Sequence, residues 1–127
     1  MTRLLLIACA GALGTATRYL VGLYAARVLG AGFPLGTLAV NLAGCLLMAA
    51  VSHVALSTEL VPPTLRLTLT TGFMGGLTTY SSFNQEATQF LRDRAWQQAI
   101  VYFGVTVGGC FLAGLAGLAL ARRVLGS

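Results

Sequence analysis

Apolar stretches of twenty or more residues run through the chain and are interrupted at only a few places by residues that can carry charge. At about 1.5 Å per residue, such a stretch forms a helix long enough to cross the roughly 30 Å of hydrocarbon in a bilayer. Only 9% of the 127 residues are charged and the mean hydropathy is +0.83, whereas a soluble domain of this size needs far more charge on its surface. We therefore predict an all-α integral membrane protein.

The charged residues and turn residues divide the chain into four predicted transmembrane helices. The Pro62 and Pro63 pair, which lacks two backbone donors, ends the second span. Because the apolar pattern at the N-terminus continues to about residue 29, we expect a retained span there rather than a signal peptide. The predicted spans cover residues of about 4–29, 35–57, 65–90 and 96–121, so that residues 1–127 form a single four-span domain.

The arginines are distributed almost evenly between the two sides of the membrane. The two groups are Arg3, Arg66, Arg122 and Arg123 on one side, and Arg27, Arg92 and Arg94 on the other. Because an excess of Lys and Arg on the cytoplasmic side fixes orientation, this balance predicts insertion in both orientations and an antiparallel, dual-topology homodimer. The alternative is a single orientation that one or two charges decide.

Residues 72–86, with the sequence GFMGGLTTYSSFNQE, place two adjacent glycines and a cluster of hydroxyl and amide side chains at mid-membrane depth. Irregular backbone at this depth is tolerated only where it is buried in protein or lines a water-filled cavity. We predict that the third helix is broken at Gly75 and Gly76, which leaves carbonyls for a small cation and helix ends for an anion. A Gly-rich packing face on an unbroken helix is the alternative.

Two further spans carry polar side chains on one face. Thr37 and Asn41 lie one helical turn apart in the second span, and Tyr102, Thr106 and Cys110 follow i, i+4, i+8 spacing in the fourth. A column of donors without matching acids suits the path of an anion. A seam of hydrogen bonds between helices has the same pattern, and both interpretations stay open at this point.

Arg18 lies at the middle of the first span, where an ionised group usually faces the bundle interior or an aqueous cavity. One interpretation is that Arg18 attracts anions into a vestibule, meaning the aqueous mouth of a pore. The other is that it pairs with Glu86 or caps backbone carbonyls.

Several classes of function do not fit the sequence. Without a nucleotide-binding loop, paired carboxylates or a nucleophile with its base, we expect no enzyme. A basic stripe with interleaved aromatic residues is also missing, so we expect no nucleic-acid partner. Cys9, Cys45 and Cys110 lie in apolar runs without the spacing of a metal site, and we interpret them as small packing residues.

Three segments resemble motifs of the Fluc (CrcB) family of fluoride channels, and the resemblance covers nearly the whole chain. They are GALGTATRYL at residues 11–20, GTLAVNLAG at 36–44 and GFMGGLTTYSSF at 72–83. The resemblance implies a passive channel in the cell inner membrane that exports fluoride and lowers its cytoplasmic concentration. It also implies an antiparallel homodimer with two pores and a structural sodium ion (Na+) at the dimer interface.

The resemblance assigns roles to individual residues. The fluoride pore would be lined by Asn41, Tyr80, Phe83, Tyr102, Thr106 and Cys110. The vestibule would contain Arg18, Thr37 and Ser81, and the sodium would be held by backbone carbonyls of Gly75 and Thr78 from each subunit. Two positions depart from the family pattern, because Tyr80 stands where Phe is usual and Cys110 stands where Ser is frequent.

Two other functions compete with a channel. A small multidrug or guanidinium transporter is also a four-span antiparallel dimer, but it relies on an acid in its first span, where this chain has Arg18. A non-conducting accessory subunit needs only packing faces, and would not explain aligned donors beside a broken helix.

Overall fold

The computed structural model describes residues 1–126, which are helical apart from short connections. The helices are α1 (Thr2–Leu29), α2 (Leu35–Ser57), α3 (Pro63–Leu67), α4 (Gly75–Leu77), α5 (Tyr80–Arg92) and α6 (Trp96–Leu125), with a π-helical segment at Thr68–Met74 between α3 and α4. The third helix of the fold is therefore the broken series from α3 to α5. Helices α1, α2 and α6 are long and apolar enough to cross a membrane. The predicted all-α membrane fold with a broken third helix is confirmed.

Helix α2 lies at the centre of the arrangement, with α6 packed along it and α1 also in contact with it. The π-helical segment and α4 pack against α1, whereas α5 packs against α6. The broken third helix therefore passes from α1 to α6 and contacts α2 on the way. Its break lies over Asn41 and Gly44 of α2.

Glycines allow the helices to approach closely. A Cβ atom at Gly14 of α1 would collide with the backbone oxygen of Phe73, and one at Gly117 of α6 would collide with the backbone oxygen of Leu46. Lipid supplies little hydrophobic drive for helix association, so close backbone contact provides the packing energy. Substitution at Gly14 would push α1 away from the third helix, and substitution at Gly117 would push α6 away from α2.

The break in the third helix lies three residues later than predicted. Gly75 and Gly76 are helical and belong to α4, whereas Thr78 and Thr79 have extended backbone with ψ of 152° and 121°. The prediction that the break lies at the glycine pair is therefore wrong. Gly76 serves packing instead, because a Cβ atom there would collide with the backbone oxygen of Gly11 in α1.

The π-helical segment at Thr68–Met74 is a second irregularity in the third helix, and no pattern in the sequence predicts it. The Thr68 hydroxyl donates to the carbonyl of Thr64, and the Thr70 hydroxyl donates to the carbonyl of Arg66, both at 2.8 Å. Such bonds compete with the backbone hydrogen bonds of a regular helix and loosen it. π-Helical turns are rare in proteins overall, and those that occur are often found at functional sites.

Candidate functional site

The break in the third helix is held by one side chain from α2. The Oδ1 atom of Asn41 accepts from the backbone N–H of Thr79 at 2.8 Å, and its Nδ2 donates to the Thr79 carbonyl at 3.1 Å. The Thr79 hydroxyl in turn accepts from the backbone N–H of Ser82 at 3.1 Å and caps α5. Backbone groups that a continuous helix would pair are therefore satisfied by side chains, as buried polar groups require.

The same hydrogen bonds leave two backbone carbonyls without the i+4 N–H donors that they would have in a continuous helix. In a continuous helix the carbonyl of Gly75 would accept from the N–H of Thr79, which donates to Asn41 instead. The carbonyl of Thr78 would accept from Ser82, whose N–H donates to the Thr79 hydroxyl. Oxygens at Gly75 and Thr78, the two predicted sodium ligands, are thus free of their helical partners. This arrangement fits a cation held by backbone oxygens.

Arg18 reaches the break from α1. Its Nε donates to the carbonyl of Gly76 at 3.1 Å, so the carbonyl-capping interpretation describes its contact. Glu86 is not its partner, because both Glu86 oxygens bond elsewhere. The guanidinium places a positive charge beside the end of α4.

Five of the six predicted pore residues line one cavity of about 350 Å³, which we call the central cavity. They are Asn41, Tyr80, Phe83, Thr106 and Cys110. The break itself contributes Thr78 and Thr79 to the wall. Tyr80 is 73% exposed, so the central cavity opens toward the surface of the single chain.

Tyr102, the sixth predicted pore residue, lies behind the central cavity. Its side chain is fully buried, and its ring meets Phe83 at 5.1 Å between centroids and 69° between planes. Phe83 also packs on Tyr80 at 5.6 Å and 71°. In these T-shaped pairs the positive edge of one ring faces the negative face of the next. Phe83 therefore connects the wall of the cavity to the aromatic core.

Thr106 supplies a buried hydroxyl without a partner. Its residue is 6% exposed, and within residues 1–126 its Oγ1 atom has no hydrogen-bond partner. A buried polar group left without a hydrogen bond costs about 1–3 kcal/mol. Because Thr106 also contributes to the wall of the central cavity, this unpartnered donor lies beside the cavity.

Glu86, which the sequence suggests only as a partner for Arg18, belongs to the site through other contacts. The Thr37 hydroxyl donates to Oε1 of Glu86 at 2.8 Å, and the Tyr102 hydroxyl lies 3.5 Å from Oε2. Thr37 and Glu86 line a separate cavity of about 190 Å³. The signal available in the sequence was the i, i+3 spacing of Phe83 and Glu86, which puts both on one face of α5.

The three predicted vestibule residues occupy different places. Arg18 contacts the end of α4, and Thr37 contacts Glu86. Ser81 is exposed, and its hydroxyl lies 3.2 Å from that of Thr79. The single chain therefore does not bring these three side chains together.

The fold and the site are those of a multi-pass helical membrane protein that can bind a small ion. The break in its third helix presents backbone oxygens and unpaired hydrogen-bond donors. Residues 5–118 match the family described as CrcB-like protein, Camphor Resistance (CrcB). The chain belongs to this family.

Similar proteins cover the chain over nearly its whole length. A protein of Sorangium cellulosum (strain So ce56) is 44% identical over 98% of both chains. One from Anaeromyxobacter sp. (strain K) is 45% identical over 99% of this chain and all of its own, and one from Caulobacter vibrioides (strain NA1000 / CB15N) is 42% identical over 98% of both. Each carries the name fluoride-specific ion channel FluC, which describes a channel and not an enzyme.

Proposed function

We propose that this protein is a passive, fluoride-selective channel that lets fluoride leave the cytoplasm across the cell inner membrane. The observation that carries the proposal is the buried, unpartnered hydroxyl of Thr106 in the wall of the central cavity. The names of the relatives support fluoride as the ion.

Fluoride is small and strongly hydrated, so it enters a pore only where several donors replace its water. Thr106 offers its hydroxyl, and Asn41 has a second N–H besides the one that it donates to Thr79. Cys110 adds a weak S–H donor one turn beyond Thr106. These groups line one cavity with no carboxylate in its wall, which favours an anion over a cation.

Aromatic rings supply another part of the wall. Phe83 is 2% exposed, lines the central cavity and packs in T-shaped pairs with Tyr80 and Tyr102. A ring carries partial positive charge at its edge, so a ring presented edge-on attracts a dehydrated anion that its face would repel. Packing on both neighbours holds the Phe83 ring in a fixed orientation.

The cluster around Glu86 continues the path beyond the central cavity. Tyr102 shares a face of α6 with Thr106, and its hydroxyl contacts the Glu86 carboxylate, which also accepts from Thr37. An anion that moves along this face meets two hydroxyl donors already engaged by a carboxylate. Fluoride therefore has to compete with the Glu86 carboxylate for these two donors.

The proposal includes a structural sodium ion held by the carbonyls of Gly75 and Thr78 from each of two subunits. The break leaves both carbonyls without their helical partners, and Gly75 is exposed at the surface of the single chain. Backbone carbonyls of unwound membrane helices are known ligands for sodium. The bound cation would neutralise the facing carbonyl dipoles.

We also propose that residues 1–127 form a single four-span domain, in which the broken third helix makes the remaining crossing, and that two copies pair in antiparallel orientation. The exposure of Tyr80 and Gly75 supports a partner, because both belong to the candidate sites and lie open in one chain. The near-equal arginine counts support opposite orientations.

No coupled energy source is required for export. An interior-negative potential of 100 mV favours outward movement of a monovalent anion by about 2.3 kcal/mol. A passive pore that excludes the more abundant chloride is therefore sufficient to lower cytoplasmic fluoride.

The test is fluoride efflux from liposomes that contain the purified protein, with sodium present and the membrane potential clamped. We expect rapid fluoride efflux and little chloride efflux. Thr106→Val keeps the shape of the side chain and removes its hydroxyl, and the loss of one hydrogen bond to an anion should slow flux about tenfold or more. Thr88→Val is the matched control, because that hydroxyl is exposed and bonds only within α5. Chloride efflux as fast as fluoride efflux, or full flux in Thr106→Val, would overturn the proposal.

A second measurement tests the sodium ion. Replacing sodium by potassium on both sides should stop fluoride flux, since the carbonyls at the two breaks would face one another without a cation. A sodium gradient imposed at equal fluoride concentrations should drive no flux. Fluoride movement that follows the sodium gradient would instead make the protein a cotransporter.

A further inference from the structure

Cys45 on α2 and Cys110 on α6 contribute to the same two cavity walls. Both cysteines are free and half-buried. The remaining cysteine, Cys9, is exposed on α1. The proposed path for fluoride uses the S–H donor of Cys110 and gives no role to Cys45, so the two thiols together form a pair with no assigned function.

The pair lies between two cavities. Cys45, Thr78 and Cys110 line the central cavity and also a second cavity of about 400 Å³. Met48, which lies one turn after Cys45 on α2, also lines this second cavity. Three sulphur-bearing side chains thus border one space, and two of them form the wall that it shares with the central cavity.

Sulphur ligands select soft metal ions. Thiolates and thioethers are preferred by soft ions, whereas carboxylates and carbonyls are preferred by magnesium and calcium. Within residues 1–126 no group of three or more His, Cys, Asp or Glu side chains is arranged to hold a metal ion. The cysteine pair offers two sulphur atoms, which is the ligand number of a linear mercury(II) bis-thiolate.

We propose that Cys45 and Cys110 form a binding site for a soft metal ion of this kind, that fluoride passes between the two cavities at the wall they share, and that the bound metal closes this passage. Each thiol loses its proton and forms one bond to the metal. With mercuric chloride as the reagent, two S–H bonds and two Hg–Cl bonds break, two Hg–S bonds form, and two protons and two chloride ions leave. Both the reagent and the complex carry no net charge, which avoids the cost of an unpaired ion in a membrane interior.

The binding experiment uses full-length protein in detergent with Cys9→Ala, so that only the pair remains. One equivalent of mercuric chloride is added, mercaptoethanol is then titrated in, and the metal retained per chain is measured by native mass spectrometry. Two thiols on one metal act as a chelate. Removing the metal from the pair should therefore need about a hundredfold higher mercaptoethanol concentration than removing it from the same protein with Cys45→Ala or Cys110→Ser. Each of those variants keeps only one thiol.

Two results would overturn the site. One is equal retention in the one-thiol variants, which shows that each cysteine binds metal alone. The other is uptake of two metal ions per chain by Cys9→Ala at excess reagent with no preference for the first, which shows that the thiols do not share a ligand.

The closing of the passage rests on the proposed function and is measured separately, as fluoride efflux from liposomes. Each variant is compared with its own flux before the metal is added. In Cys9→Ala the block should persist through a mercaptoethanol wash that restores flux in the one-thiol variants. Metal retained by the pair with unchanged flux would show that the metal does not close the passage. A complete lack of fluoride flux before metal is added would instead overturn the proposed function, and the binding experiment would still decide the metal site.

Discussion

The side-chain amide of Asn41 in α2 pairs with both backbone groups of Thr79 at the break in the third helix, at 2.8 and 3.1 Å. Asn41 is 7% exposed and lines the central cavity as well. A single side chain therefore stabilises the interrupted backbone and contributes to the candidate path for the ion.

Asn41→Ala should destabilise the protein and abolish fluoride flux. The substitution leaves a backbone N–H and a backbone carbonyl of Thr79 without partners, at a cost of about 1–3 kcal/mol for each buried group. The measurement is the thermal midpoint of unfolding in detergent together with efflux from liposomes. Asn84→Ala, which changes an exposed side chain on α5, is the matched control and should behave as the unmodified protein. Equal midpoints and equal fluxes for the two variants would contradict the role of Asn41.

Gly44 tests the close contact between α2 and the break. A Cβ atom at Gly44 would collide with the Cγ2 methyl of Thr78, so Gly44→Ala should displace a residue that we propose as a sodium ligand. Overpacking of this kind costs about 1–3 kcal/mol. Thr78→Ser removes the methyl group and keeps the hydroxyl that donates to the Met74 carbonyl.

The double variant Gly44→Ala with Thr78→Ser should therefore recover most of the lost stability and flux. The measurement is a double-mutant cycle on the thermal midpoint and on fluoride efflux. If the effects of the two single substitutions simply add in the double variant, Gly44 matters for a reason other than its contact with Thr78.

Phe83 distinguishes a pore wall from a packing seam. Phe83→Ile keeps the bulk and the hydrophobicity of the side chain but removes the ring edges, so fluoride efflux should collapse while the dimer survives in size-exclusion chromatography. If Phe83 served only packing, Phe83→Ile would lower the free energy of unfolding by about 1 kcal/mol and leave fluoride flux largely intact. Tyr80→Phe is the internal control, because it keeps the ring and removes one hydroxyl, and it should conduct. Loss of flux in Tyr80→Phe with normal flux in Phe83→Ile would assign the role to the hydroxyl.

The main features of the fold are readable from local patterns in the sequence. Long apolar runs produce α1, α2 and α6, and the i, i+4, i+8 spacing puts Tyr102, Thr106 and Cys110 on one face of α6. Hydroxyl residues at membrane depth indicate a broken third helix. Each of these inferences depends on residues within a few turns of one another.

Features that depend on contacts between residues far apart in the chain cannot be predicted from local sequence patterns. The break lies at Thr79 rather than at the glycines because Asn41, 38 positions earlier, takes both of its backbone groups. Glu86 meets Thr37 across 49 positions, and no local pattern records that contact. Gly76 packs on Gly11 of α1, and no pattern within the third helix indicates that contact.

The antiparallel dimer predicts that orientation can be controlled by charge. Adding lysines to the C-terminus should force one orientation, since a cytoplasmic excess of basic residues decides insertion. Cells that express this copy alone should lose fluoride resistance, and co-expression of a copy biased in the opposite direction should restore it. Full resistance from the single biased copy, with its orientation verified by labelling, would rule out the dual-topology dimer.

The central claim, passive conduction of fluoride, is tested most directly by the reversal potential of current through the reconstituted protein in a planar bilayer. With equal chloride and sodium on both sides and an impermeant anion replacing fluoride on the dilute side, a tenfold fluoride gradient should shift the reversal potential by about 59 mV, the value for a single-charge carrier. A tenfold gradient of chloride, sodium or protons at equal fluoride should leave it at zero. A reversal potential that follows any of those three ions, or that stays at zero in the fluoride gradient, would contradict the account.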